Sequence, residues 1–305
     1  MLEQQMFTGC GTAMVTPFRH DGTLDEATLI RLINRQIEAG IDFLVPCGTT
    51  GESPTLSREE HLRVVELTVK VAKGRVPVLA GAGGYNTAEV IALSREVAAI
   101  GVDGILSVTP YYNKPTQEGL YQHYRAIAND TTLPIILYSV AGRTGVNIEP
   151  STVKRLAEID TIIGIKEASG SISQMAAILN TVPEDFLVLS GDDGIALPLI
   201  ALGGRGVISV ISNEIPQEMT HLIQLCLKGD FTTAREIQRR YQALMEVNFV
   251  ESNPIPVKAA MAEMGLLEPV WRLPLVAPKA ENQERIRNVL ASLGLVERVH
   301  AAVTN

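Results

Sequence analysis

Cysteine is scarce in this 305-residue chain: Cys10, Cys47 and Cys226 are odd in number and far apart. No CxxC pair occurs, so neither a zinc site nor a disulfide framework is indicated, and a reducing cytoplasm is the default setting. No apolar run approaches the ~20 residues that a membrane-spanning helix needs, and the opening MLEQQMF lacks the charged-then-apolar pattern of an export signal. The five histidines show no HExxH or comparable metal-ligand spacing. No GxSxG elbow presents a serine nucleophile. Basic charge is in deficit: the net charge is −8 and the pI near 5.3. That excludes a general affinity for nucleic acid or anionic lipid and suits a soluble protein handling small molecules. No charge run or low-complexity stretch marks a disordered tail.

What is present is a repeating pattern. The chain is 46% hydrophobic and 20% charged, a globular composition with enough length for a large core. Eight short apolar segments rich in β-branched residues recur, at 11–18, 42–48, 76–83, 103–110, 134–140, 161–168, 185–191 and 206–212. Longer amphipathic stretches lie between them. In LDEATLIRLINRQIEAG, Leu29, Leu32, Ile33 and Ile37 share one face at helical spacing. Ser57 before Arg58-Glu59-Glu60 forms a capping-box pattern, and Gly40, Gly74 and Gly101 each close a helix. Near-continuous apolar strands alternating with helices predict a parallel sheet covered on both faces. Eight such units at this length predict an α/β fold of the (β/α)8 TIM-barrel type over residues 1–229. A doubly wound open sheet would want a glycine fingerprint at its first turn, and GCGTAM lacks the third glycine. From residue 230 to 305 the pattern turns helical, predicting a C-terminal helical extension packed on the barrel.

Barrel chemistry sits at the C-terminal ends of the strands. There the sequence places GTTGES, GAGGYN, TPYYNKP, YSVAGRTG, Lys166-Glu167 and SGDDG. The rim is rich in hydroxyls around one basic group, and Thr49, Thr50, Tyr111, Tyr112, Tyr138, Arg143 and Lys166 can converge on it. Lys166 stands in the apolar run TIIGIKEASG. Burial disfavours its charged ammonium and favours the neutral amine, a nucleophile towards carbonyls. Equally, it could be an inert barrel lysine paired with a carboxylate, and spacing alone leaves both readings open. Tyr138, at a strand end, is placed to relay a proton. Tyr111 and Tyr112 could simply pack. Arg143 could be a solvated charge or a bidentate holder of a substrate carboxylate. GGRG (203–206) precedes the eighth strand and predicts a helix-ending turn on the barrel's other face. Asp192 and Asp193 predict a helix cap, and Cys47, with no histidine base in pattern, an inert thiol.

Taken together, GTTGESPTL, TPYYNKPTQEGLYQHY, GRTGVNI, GIKEASG, SGDD, ALPLIALGGRGVISV and NPIPVKAAM resemble the dihydrodipicolinate synthase family, class I aldolases related to N-acetylneuraminate lyase. The likeness runs from about Phe7 to about Pro278. It implies condensation of pyruvate with aspartate 4-semialdehyde, the branch-point step towards lysine and diaminopimelate. Lys166 then matches the imine-forming lysine and Tyr138 the proton-relay tyrosine. Thr49 matches the threonine linking Tyr138 to a second tyrosine, matched by Tyr112, which the family supplies from a neighbouring subunit. Thr50 matches the pyruvate-carboxylate contact and Arg143 the residue holding the semialdehyde carboxylate. Gly191 and Ile208 match pocket-lining residues. Ser53, His61, Glu89 and Tyr111 match positions of lysine feedback binding. The resemblance also implies a homotetramer built as a dimer of dimers, with no organic cofactor and no catalytic metal. Ser139-Val140-Ala141 departs from the family's Asn-Val-Pro, and Arg58 and Tyr85 replace its histidine and asparagine, which puts feedback inhibition in doubt. A sister aldolase cleaving N-acetylneuraminate or a keto-deoxy-sugar acid is the nearest alternative; a non-catalytic keto-acid-binding barrel is a further one.

Overall fold

The computed structural model describes residues 6–297. Residues 1–5, most of the MLEQQMF stretch, and 298–305, the end of the predicted helical extension, lie outside the described residues. Eight strands pair in parallel: β1 (Gly9–Ala13), β2 (Phe43–Val45), β3 (Leu79–Gly81), β4 (Gly104–Val108), β5 (Ile135–Ser139), β6 (Ile162–Glu167), β7 (Leu187–Ser190) and β8 (Gly206–Ser209). Their order is β2-β1-β8-β7-β6-β5-β4-β3. A parallel bridge, Leu44 to Val78, and a hydrogen bond from Gly81 N–H to the Pro46 carbonyl (2.9 Å) join β2 to β3 and close the sheet into a barrel. All strand residues except Val108 are buried. This is why the strands read as unbroken apolar runs: one face fills the barrel and the other meets helices.

The connecting helices are α1 (Glu26–Glu38), α2 (Arg58–Ala72), α3 (Thr87–Ile100), α4 (Gln117–Ala128), the short α5 (Ala141–Thr144), α6 (Pro150–Leu156), α7 (Ile172–Leu179), α8 (Ala196–Ala201) and α9 (Pro216–Leu227). Leu29, Leu32 and Ile33 of α1 are buried, with Ile37 packed beside them. At the start of α2 the capping box forms as predicted: Glu60 N–H donates to Ser57 Oγ (3.2 Å) and Ser57 N–H to Glu60 Oε2 (3.0 Å). Gly101 ends α3 with φ at 94°, a conformation that costs a side-chain-bearing residue strain.

Three further helices follow: α10 (Phe231–Val247), α11 (Ile255–Glu263) and α12 (Ala280–Leu293). Tyr241, Leu244, Val257, Met261, Ile286 and Leu290 from these helices belong to one apolar cluster with Cys10, Leu29, Leu44, Val65 and Val207 of the barrel. The extension therefore has no core of its own. The barrel interior is a separate cluster built on Phe43, Leu79, Leu106, Ile136, Tyr138, Leu187 and Ile208. Among the described residues no helix is long and apolar enough to cross a membrane.

Candidate active site

β5 and β6 run side by side with Tyr138 opposite Lys166. Lys166 is 5% exposed, and its Nζ lies 4.3 Å from the centroid of the Tyr138 ring. Among the described residues no carboxylate pairs with it. Its neighbour Glu167 points to the other side of the strand, where it accepts from Gln174 Nε2 (2.8 Å) and from Ser169 N–H (3.2 Å). Burial raises the Glu167 carboxyl above its ordinary range. The buried, carboxylate-paired lysine exists, but it is Lys258: its Nζ meets Glu52 Oε1 at 2.5 Å, with both side chains fully buried. Lys258 also donates to the Thr16 carbonyl (3.1 Å). The ion pair that the inert reading asks of Lys166 is formed by Lys258 instead.

Lys166 opens into a cavity of about 110 Å³ walled by Thr49, Thr50, Tyr138, Val140, Arg143, Ala168, Gly191, Asp192, Val210, Phe249 and Asn253. A second space of about 250 Å³ shares Thr49, Tyr138, Val140 and Arg143, and is walled further by Cys47, Ser53, Tyr111 and Thr144. A side chain at Gly191 would put its Cβ 2.5 Å from Ala168 Cβ and 3.1 Å from Lys166 Cε, so the packing of Ala168 beside the lysine's stem requires glycine there. The exposed Arg143 sits on α5 and donates from Nη2 to the Asn253 carbonyl (3.0 Å). Asn253 Nδ2 donates to Thr50 Oγ1 (2.9 Å).

The structure thus gathers Lys166, Tyr138, Thr49, Thr50, Arg143 and Gly191 around one cavity. Ile208 lies in the barrel-interior cluster, and Val210 of the same segment lines the cavity instead. Tyr112 is 92% exposed and lines neither space within this chain; its φ of 68° is left-handed. Ser53, His61, Glu89 and Tyr111 meet at another cavity, of about 300 Å³, together with Arg58 and Tyr85. There His61 Nε2 is 2.9 Å from the Gly81 carbonyl, and burial lowers its pKa from the ordinary histidine range. The departing SVAGRTG loop is well held: Ile148 N–H donates to Ser139 Oγ (3.2 Å) and Thr144 Oγ1 donates to the Val146 carbonyl (2.9 Å).

The features set aside in the sequence take structural roles. Asp192 caps the turn at 193–195 through Gly194 N–H (2.8 Å). Asp193 does not cap that turn; it is buried and accepts from the backbone N–H groups of Val210 (3.0 Å) and Ile211 (2.9 Å), pinning the chain after β8. Burial pushes its carboxyl up to about 6. Cys47 is buried, its thiol raised well above the usual range by desolvation, with Sγ donating to the His61 carbonyl (3.6 Å). The first three residues of GGRG lie in the turn between α8 and β8, and Gly206 opens β8. Asn253 and Phe249 were missed. The motif NPIPVKAAM was legible as a helix start, but nothing local to it signals a contact with residue 50 or 143.

The family model described as "Dihydrodipicolinate synthetase family" matches residues 6–293. The chain is 52% identical over 295 residues to the 4-hydroxy-tetrahydrodipicolinate synthase of Koribacter versatilis (strain Ellin345), covering 96% of this chain and 98% of that protein. The crystal structure of dihydrodipicolinate synthase from Aquifex aeolicus superposes with a TM-score of 0.94 at 44% identity, covering 96% of this chain and all of that one. A structure of the Acinetobacter baumannii enzyme complexed with pyruvate gives a TM-score of 0.93 at 44% identity, covering 95% of this chain and 99% of that one. The chain belongs to the dihydrodipicolinate synthetase family.

Proposed function

We propose that this protein is a 4-hydroxy-tetrahydrodipicolinate synthase, a lyase that condenses pyruvate with L-aspartate 4-semialdehyde in lysine and diaminopimelate biosynthesis. The observation that carries the reading is Lys166: a buried lysine with no carboxylate partner among the described residues, opening into a small cavity beside Tyr138. In this reading the neutral amine attacks the keto carbon of pyruvate, and loss of water gives an imine. The imine withdraws electrons, so a methyl proton leaves and an enamine forms. The enamine carbon attacks the aldehyde carbon and makes the new C–C bond. The amine of the second substrate then attacks the imine carbon and expels Lys166, which returns to its free form. Tyr138, Thr49 and Tyr112 pass the protons, a relay that two phenols joined by a hydroxyl can run without long-range charge separation. Thr50 receives the pyruvate carboxylate and Arg143 that of the semialdehyde, for which a guanidinium fork is suited. The lysine supplies the electron sink, so the scheme calls on no organic cofactor.

The exposed Tyr112 supports a site completed by a second copy of the chain within a homotetramer. The cavity at Ser53, His61, Glu89 and Tyr111 is the place for a feedback ligand, altered here by Arg58 and Tyr85. The composition and three unpaired thiols support cytoplasmic residence.

Borohydride reduction in the presence of pyruvate tests the chemistry. It should leave on Lys166 a mass equal to pyruvate less water plus two hydrogens, and Lys166→Ala should show none. A coupled assay with aspartate semialdehyde then tests the substrate. An adduct without condensation activity, together with cleavage of N-acetylneuraminate, would move the protein to the sister aldolases.

A further inference from the structure

Every strand of the barrel lies before residue 210, yet one wall of the lysine's cavity comes from the link between α10 and α11. Asn253 in that link is 5% exposed and makes two contacts into the site. Its side-chain Nδ2 donates to Thr50 Oγ1 at 2.9 Å, and its carbonyl accepts from Arg143 Nη2 at 3.0 Å. Its Oδ1 is buried and has no partner among the described residues, so the amide is held by the Thr50 contact alone. We infer that Asn253 is a positioning residue for both substrate carboxylates, its side chain aiming the Thr50 hydroxyl and its main-chain carbonyl aiming the Arg143 guanidinium.

The inference rests on the pyruvate reading above. A threonine hydroxyl has a single proton to give. Because Asn253 Nδ2 donates to the oxygen, it cannot take that proton. Among the described residues Thr50 Oγ1 has no acceptor of its own, so the proton is free for an anion in the cavity, where a charge-assisted bond is stronger than a neutral one. The carbonyl acts differently on Arg143. It takes one of five guanidinium donors and holds a long, exposed side chain over the cavity mouth, so less rotamer freedom is lost when a carboxylate binds. The segments that carry Thr50 and Asn253 are joined again by one ion pair. Glu52, two residues after Thr50, meets Lys258, in the first turns of α11, with both side chains fully buried.

The test compares Asn253→Ala and Asn253→Asp with the parent enzyme. The readouts are the pyruvate concentration giving half-maximal borohydride trapping, KM for each substrate, kcat and the melting temperature. Asn253→Ala should raise half-saturation by pyruvate about 5- to 10-fold, the loss of one hydrogen bond of ~1 kcal/mol. KM for the semialdehyde should stay within about twofold, because the carbonyl holding Arg143 remains. Asn253→Asp, similar in size, puts an acceptor where the donor was; it captures the Thr50 proton and adds a like charge beside the pyruvate carboxylate. Its pyruvate deficit should exceed that of the alanine variant and grow from pH 5 to pH 8. In Thr50→Val, adding Asn253→Ala should raise the pyruvate requirement no further. A mild, pH-independent effect of Asn253→Asp would mean that Oδ1 faces Thr50, and would overturn the inference. So would trapping at the parental pyruvate concentration in both variants, whatever their melting temperatures. No adduct in the parent enzyme would remove the reading beneath it.

Discussion

Two buried lysines in this chain have opposite surroundings, and the contrast separates structure from chemistry. Lys258 is closed in by Glu52, the Thr16 carbonyl and the Phe18 ring, 4.4 Å from its Nζ. Lys166 has an aromatic face, an open cavity and, among the described residues, no carboxylate paired with it. Burial was legible in the sequence for Lys166, because TIIGIKEASG is apolar around it. The missing partner was not, because an ion pair is a relation between distant positions. Gly191 sharpens the point at the same scale. Its missing Cβ leaves room for Ala168 Cβ, which it would meet at 2.5 Å, and for the lysine stem at 3.1 Å, so Gly191→Ala must displace Ala168 and crowd Lys166. Moving Lys166 Cε does not relieve the overlap with Ala168 Cβ, so the chain around positions 168 and 191 must shift and carry the lysine with it. The expected outcome is a loss in kcat/KM of at least ~10-fold, about 1.4 kcal/mol at the transition state. The melting temperature should fall as well, because Ala168 Cβ is fixed to the backbone and overpacking a filled site is destabilising. The coupled assay and calorimetry check this, and parental kinetics would free Gly191 of any part in placing the lysine.

Among elements, each of the eight strands falls within or overlaps a predicted apolar run, but the runs are too long. The run at 11–18 ends as strand at Ala13, and that at 42–48 ends at Val45. Apolarity marks what is buried, and the buried segment continues past the last ladder bond: Met14, Val15 and Phe18 are all core, and Cys47 turns left-handed at φ 56°. Helix starts were more legible, because a capping box is a local arrangement. Glu60 in that box carries a second duty. Its carboxylate accepts from Arg272 Nη2 (2.6 Å) and Nη1 (2.7 Å), tying α2 to the segment between α11 and α12. The Arg272 hydrogen bonds, with help from Ser57, hold the Glu60 pKa down, from the ordinary 4.5 to about 2. A depressed carboxyl stabilises the fold fully above its unfolded pKa and loses that contribution as pH falls through the folded one. Glu60→Gln should therefore melt below the parent at pH 7, and the gap should narrow between pH 4.5 and pH 2. A melting series across that range checks the sign; a gap constant with pH would assign the effect to the cap alone.

At the level of the whole molecule, the fold class was legible because a barrel is a local pattern repeated eight times. Its completion was not. Arg143 and Asn253 are 110 positions apart, and Thr50 and Asn253 are 203 apart, distances that no periodicity spans. Tyr112 raises the same issue beyond a single chain. A tyrosine ring 92% exposed on a left-handed backbone residue, with Lys114 left-handed beside it at φ 44°, contributes nothing to this chain's own core. If a neighbouring copy receives it, Tyr112→Phe should lower turnover at least ~10-fold, in the range of a lost proton-transfer contact. Pyruvate trapping on Lys166 should be nearly unchanged, and sedimentation should show the parental assembly. Unchanged turnover would take Tyr112 out of the relay.

The bracket at Asn253 also has a bearing on the order in which the molecule comes into being. Synthesis runs from the N-terminus, so a nascent chain emerges with Lys166, Tyr138 and all eight strands well before residue 253 has left the ribosome. Until then Thr50 and Arg143 stand beside the amine without Asn253, which contacts them both. The wall that Phe249 and Asn253 give the lysine's cavity is therefore the last part of the site to be added, when translation is nearly over.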